Sequence, residues 1–127
     1  MRKSTRALLG VATILLLAVA TQAWTGQQED SYDALLVRIR ALLSQRLPEE
    51  AVQPLSEALR LRPDSAEALW LMGVLSLELG RFEEGVPHVA HLIELAPEET
   101  QPRLLLGALL DSLGRVDDAV TQYREVL

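Results

Sequence analysis

The chain has no cysteine. No disulfide can staple it, and any metal site would have to form without thiolates. Aromatic residues are only 4% of the 127 residues, so a core has to be packed mainly from aliphatic side chains. Glycine-rich phosphate loops are missing, and no serine sits in a nucleophile-elbow context. After Arg6 no run of basic residues occurs. The leader carries three of the 12 basic residues and none of the 18 acids, so the remainder holds 9 − 18 = −9. A surface of that sign, with its arginines scattered singly, repels phosphate backbones and anionic lipid. Nucleic acid is excluded as a partner, and the acidity reads as a solvated surface.

What is present begins with an ordered N-terminus. "MRKSTR" carries three positive charges, and Ala7–Ala20 ("ALLGVATILLLAVA") carries none. Small residues follow at Ala18-Val19-Ala20 and Thr21-Gln22-Ala23. This is the order of a secretory signal peptide. Ala7 to Trp24 spans 18 residues, close to the lower limit of about 17 for a membrane-crossing helix, so an uncleaved anchor is the alternative. Both readings export everything beyond the leader, to a periplasmic or secreted location or to an anchored one with the domain outside. Residues 1–23 are therefore signal peptide or anchor, and 24–31 a short linker. Contact with a membrane is expected only through an uncleaved N-terminal segment.

Beyond residue 31 the sequence repeats. "LGRFEEGV" at 79–86 returns as "LGRVDDAV" at 113–120, 34 residues later. Three gap-free units follow, 32–65, 66–99 and 100–127. Gly73 and Gly107 correspond, as do Gly80 and Gly114, and as do Ala51, Gly85 and Ala119, each of these last three followed by valine. Acidic pairs recur just ahead, Glu49-Glu50, Glu83-Glu84 and Asp117-Asp118. Units two and three are identical at only seven of 28 shared positions, but those positions are the ones a helical hairpin constrains.

Each unit reads as two helices. In unit two, Asp64 or Ser65 caps the first helix, and Glu67 is placed to complete a capping box with Asp64. Leu69, Leu71, Met72, Leu75, Leu77 and Leu79 give it a broad apolar face. Gly80 ends it as a left-handed stop. Glu83 and Glu84 favour the start of the second helix, whose stripe is Val86, Val89, Leu92 and Ile93, with Pro97 as the stop. Gly73 and Gly85 mark close helix crossings. Pro54 and Pro87 inside second helices predict a bend or a late start. In the last unit, Val116, Val120, Tyr123 and Leu127 form the stripe expected to face the unit's own first helix. Ala119 and Val126 point elsewhere, towards where another unit would stack.

The period and the helix–turn–helix pattern resemble the tetratricopeptide repeat (TPR) family over residues 32–127. The resemblance implies an all-α fold, a right-handed superhelical stack of about three units. There are departures. The family's large residue at position four is Leu35, Leu69 and Arg103, with Trp70 one place on. Unit one has Arg38 and Ile39 where leucine and a small residue are preferred, and Arg46 replaces the turn glycine, so its helix boundaries are the least defined. The resemblance also implies that first helices line a concave face for a protein or peptide partner. Carried over, the contact residues are Leu36, Arg40 and Leu43, then Trp70, Val74 and Leu77, then Leu104, Ala108 and Asp111. Trp70 would be either the groove's anchor or a core residue replacing the missing position-four aromatic. The family's carboxylate clamp of lysine, asparagine and arginine is missing, because Leu36, Arg40, Leu71, Gln101 and Leu105 occupy its positions. The groove is apolar with an acidic edge of Glu67, Glu78 and Asp111, suited to an apolar or amphipathic segment.

Reactive groups are few. His88, His91 and Glu94 recur every three residues on one helix, a spacing that can ligate zinc. No third histidine or second element completes a set, so a solvated helix face is expected, with no metal and no cofactor. The acidic pairs occupy one repeat position and serve helix starts rather than acid–base chemistry. The expected function is a non-enzymatic scaffold that grips a partner's segment outside the cytoplasm. The alternative is a structural module that self-associates into a homo-oligomer through its uncapped C-terminal helix.

Overall fold

A computed structural model describes residues 31–127. Two compact units divide the chain, Met1–Ala34 and Leu35–Leu127. Of the first, residues 31–34 are described and are helical. All the other described residues belong to the second. The expected leader at 1–23 and the linker at 24–30 lie outside the described residues, and Ser31, placed in that linker, is helical. Among the described residues no helix is long and apolar enough to cross a membrane.

The described residues form helices paired as hairpins. α1 covers 31–44, followed by α2 (Pro48–Leu61), α3 (Ala66–Glu78), α4 (Phe82–Leu95), α5 (Gln101–Ser112) and α6 (Val116–Val126). Each of α2 to α5 packs against the helix after it, and α3 also reaches α5. First helices therefore neighbour first helices, and each hairpin covers part of the one before it.

The turns inside the hairpins explain the 34-residue echo. Arg46, Gly80 and Gly114 all adopt positive φ, at 58°, 72° and 75°. In each turn the following residue's N–H returns to a carbonyl five residues back. These bonds are Leu47 to Leu42, Arg81 to Ser76 and Arg115 to Leu110, each at 2.9 Å. A tighter turn of chain joins Arg46 to Leu43, Gly80 to Leu77 and Gly114 to Asp111. This pair of bonds satisfies the carbonyls orphaned at a helix end and requires the left-handed residue between them. Arg46 takes that conformation without being glycine, so the irregular first unit closes by the same motif.

Helix starts depart from expectation in two ways. Ser65 is the cap of α3, its hydroxyl accepting the Ala68 N–H at 3.2 Å. The capping box with Asp64 does not form, because Glu67 pairs with Arg40 and Asp64 with His91. Nor do the interior prolines delay their helices. α2 begins at Pro48, whose missing N–H costs nothing at a first position, and runs through Pro54. α4 runs from Phe82 through Pro87. Packing of Ala51, Leu55, Ala58 and Leu59 on one side, and of Val89 and Leu92 on the other, holds these helices intact.

The crossings are where the small residues stand. A Cβ added at Gly73 would collide with Val89 of α4 and come within 2.8 Å of Leu105 Cδ2. One added at Gly85 would lie 2.7 Å from Ser76 Cβ and 3.1 Å from Leu109 Cδ1. Glycine at these points lets α3, α4 and α5 meet closely. α6 packs differently from expectation. Ala119 is buried against α5 and Tyr123 packs beside it, whereas Val116 is 54% exposed and Leu127 is fully exposed. Of the expected stripe, Tyr123 does face α5, its ring in the Gly107 crevice; Val116 and Leu127 do not, and Ala119, expected to point elsewhere, takes the buried place.

Candidate partner-binding groove

α1, α3 and α5 lie in sequence, α1 joined to α3 by Arg40–Glu67 and α3 packed on α5. Leu36, Arg40 and Leu43 are spaced by four and three, which places them on one face of α1. Trp70, Val74 and Leu77 repeat that spacing on α3, and Leu104, Ala108 and Asp111 on α5. Each triplet lies 34 residues from the last, so the fold sets three equivalent stripes side by side.

Their exposure differs. Leu36 is buried, at 7%, and offers a partner little to touch, whereas Leu104 is 39% exposed. Trp70 and Leu77 are half-buried and pack against the apolar cluster of Val89, Leu105, Leu106, Leu109, Leu110 and Ala119. Trp70 thus has one side in the core and one outside it. Val74 is 37% exposed, Ala108 and Leu43 are half-buried, and Arg40 and Asp111 are exposed.

A cavity of about 200 Å³ opens between α1, the start of α2 and α3. Leu43, Arg46 and Pro48 form one wall, and Leu71, Val74, Leu75 and Glu78 the other. Of the nine expected contact residues it brings together Leu43 and Val74. Repeat position alone does not point to Arg46, Pro48 or Leu75, which also line the cavity. The signal for Arg46 was its place in the left-handed turn, where a side chain leaves the helix axis and can reach over the cavity.

The acidic edge is reduced by pairing. Glu67 is held by Arg40. Glu78 borders the cavity and Asp111 is exposed on α5; among the described residues neither enters an ion pair. The acidic doublets sit in the first turns of α2, α4 and α6, where the helix dipole favours them. Among the described residues no group of three or more histidine and acidic side chains is arranged to hold a metal ion. His91 turns to Asp64, Nε2 to Oδ1 2.8 Å, with Glu94 Oε2 3.6 Å from Nδ1. That hydrogen bond to Asp64 holds the His91 pKa above its ordinary value, against a smaller opposing effect of burial. His88 is shifted the other way, chiefly by burial, with Glu84 opposing.

The sequence matches the family described as Tetratricopeptide repeat over residues 16–66, 36–100 and 71–127. No curated protein sequence matches the chain. Among solved structures, MamA 41-end from Desulfovibrio magneticus RS-1 is similar at 20% identity and TM-score 0.71, over 75% of this chain and 54% of that one. The second TPR of Spaghetti (RPAP3), bound to an HSP90 peptide, is similar at 15% identity and TM-score 0.69, over 78% of this chain and 94% of that one. A mutant of the Thermobaculum terrenum O-GlcNAc transferase is similar at 24% identity and TM-score 0.67, over 79% of this chain and 19% of that one. The chain spans about half the length of most of the MamA structures it matches. At these identities the likeness is one of fold, the right-handed superhelical stack of helical hairpins.

Proposed function

The chain belongs to the tetratricopeptide repeat family, and on that premise we propose that it is a non-enzymatic adaptor gripping an apolar or amphipathic segment of a partner protein. The supporting observation is that Val74 and Leu104, both more than a third exposed, stand on neighbouring first helices, Val74 in the wall of the cavity of Leu43 and Arg46. Glu78 and Asp111 border this apolar strip and suit a basic residue at one end of the segment. A similar fold holding a peptide in the RPAP3 structure is consistent with that use. The absence of the clamp residues points to a partner's internal segment rather than its terminal carboxylate. An extracytoplasmic setting rests on the basic, apolar and small-residue order of residues 1–23.

A second reading pairs two copies through α6, where Val116 is 54% exposed. One experiment separates the two. A photoreactive residue replaces Val74 in the producing cell, and a second chain carries it at Leu95, an exposed position on α4. A discrete heterologous adduct from position 74, and not from 95, is the expected result. An adduct at twice the protomer mass supports self-association, and no adduct from a folded chain overturns the groove.

A further inference from the structure

One imidazole in this molecule is held between two carboxylates from different elements. His91 lies in α4; Asp64 lies in the loop from α2 to α3, and Glu94 lies one turn further along α4. Asp64 immediately precedes Ser65, the cap of α3. The Ser65 hydroxyl accepts the Ala68 N–H, and its carbonyl accepts the Leu69 N–H at 2.9 Å. The contact to His91 therefore fixes the residue next to the one on which the first turn of α3 is built.

We propose that His91, Asp64 and Glu94 form a proton-operated clasp, in which the imidazolium holds the α2–α3 loop against α4 through both carboxylates and the neutral ring holds it more loosely, through one N–H at most. The neutral ring carries one N–H and can donate to one carboxylate, whereas the imidazolium donates from both nitrogens. The 2.8 Å bond to Asp64 joins opposite charges only in the protonated form; the neutral ring keeps at most a bond assisted by the acceptor's charge alone. At 3.6 Å the Glu94 contact is an attraction between charges, and it vanishes with the proton. The charged and titratable groups acting on the ring are Asp64 from the loop and Glu94 and His88 from its own helix. Among the described residues no charged group of α3 or α5 joins them.

The direction of the pH effect follows from linkage. Since His91 binds its proton more tightly when folded, the charged clasp is complete below the ordinary value of 6.5, and its charge-dependent part is lost as pH rises through the higher folded value. His88 acts in the other window. Its burial favours the neutral ring, so its contribution is present above 6.5 and is lost as pH falls through the lower folded value. Loosening above 6.5 belongs to His91 alone.

The test is amide hydrogen exchange on the full chain between pH 6 and pH 8, corrected for intrinsic exchange rates. Protection at Ala68 and Leu69 is expected to fall by about 1.4- to fivefold, the range for an exposed charged pair. Asp64→Asn and His91→Gln, both at solvent-accessible side chains, should give the lower protection at both pH values. Proton resonances of the two histidines should place the His91 titration above that of His88, and Asp64→Asn should lower it. Constant protection in the unsubstituted chain, or the same fall in Asp64→Asn, overturns the clasp.

Discussion

Where the first hairpin meets the second, charged side chains reach across: Arg40 to Glu67, and Arg81 to Glu49 at 2.9 Å. Where the second meets the third, α4 and α5 close over Val89, Leu105 and Leu109, with Leu109 and Val89 at 0% exposure. Among the described residues no ion pair crosses that second boundary. The paired side chains of the first boundary stay 40–63% exposed. Exposed pairs contribute roughly 0.2–1 kcal/mol each and are screened by salt. Burying a large aliphatic side chain contributes about 1.5–3 kcal/mol. The first boundary is not without apolar packing, since Leu55 and Ala58 of α2 and Leu69 of α3 are also buried; what sets it apart is the exposed ion pairs added at its rim.

The largest expected effect tests that contrast directly. Leu109→Ala should cost roughly 2–5 kcal/mol, as a fully buried leucine leaves a cavity, and salt should not alter the loss. Arg81→Ala should cost less than about 1 kcal/mol and still less in high salt. Denaturant unfolding of both variants with and without added salt decides it. Equal losses would break the contrast, giving the Arg81–Glu49 pair a weight that an exposed pair does not carry.

A second comparison sharpens it within the apolar half. Gly73 is enclosed by Val89 and Leu105 from two helices, whereas the atoms nearest a Cβ at Gly107 all belong to the ring of half-buried Tyr123. Gly73→Ala should therefore destabilise by about 1–3 kcal/mol, the range for overpacking. At Gly107 the ring can swing outwards, and alanine's better helix propensity, about 1 kcal/mol, offsets the strain. Thermal unfolding of the two variants should separate them. Similar losses would mean that α6 is held as tightly as α4.

The residues that made these features legible in the sequence are those with one possible role. Gly80, Gly114 and the acidic doublets announced the turns and helix starts, because few residues accept left-handed φ and carboxylates favour a helix N-terminus. Gly73 and Gly85 announced the crossings. The rotation of α6 was not legible. Val116 and Ala119 are both apolar, and only contact with Gly107 and α5 tells which one faces in. The fate of Asp64 was equally hidden, since an aspartate beside a serine before a helix can cap it or leave the cap to its neighbour. His91, on a different helix, decides the matter. Within the candidate groove, repeat position indicated the faces of α1, α3 and α5. It did not show that Leu36 is buried, nor that Arg46 belongs to the cavity wall.

Arg46 carries the smallest expected effect and joins the first hairpin's turn to the groove. Holding a left-handed conformation costs a residue with a side chain about 1–2 kcal/mol, and glycine gives back roughly 0.5–1 kcal/mol through its freer unfolded chain. Arg46→Gly should thus stabilise the first hairpin by up to about 1 kcal/mol, whereas Gly80→Ala and Gly114→Ala should each destabilise. Denaturant midpoints read all three. The same substitution removes a side chain from the cavity that Val74 and Glu78 share. If Arg46→Gly gains stability and also weakens the adduct formed from position 74, the strained turn is explained by the groove it serves. If stability rises and the adduct is unchanged, the arginine is a tolerated irregularity, and the cavity wall is completed by Leu43 and Pro48 without it.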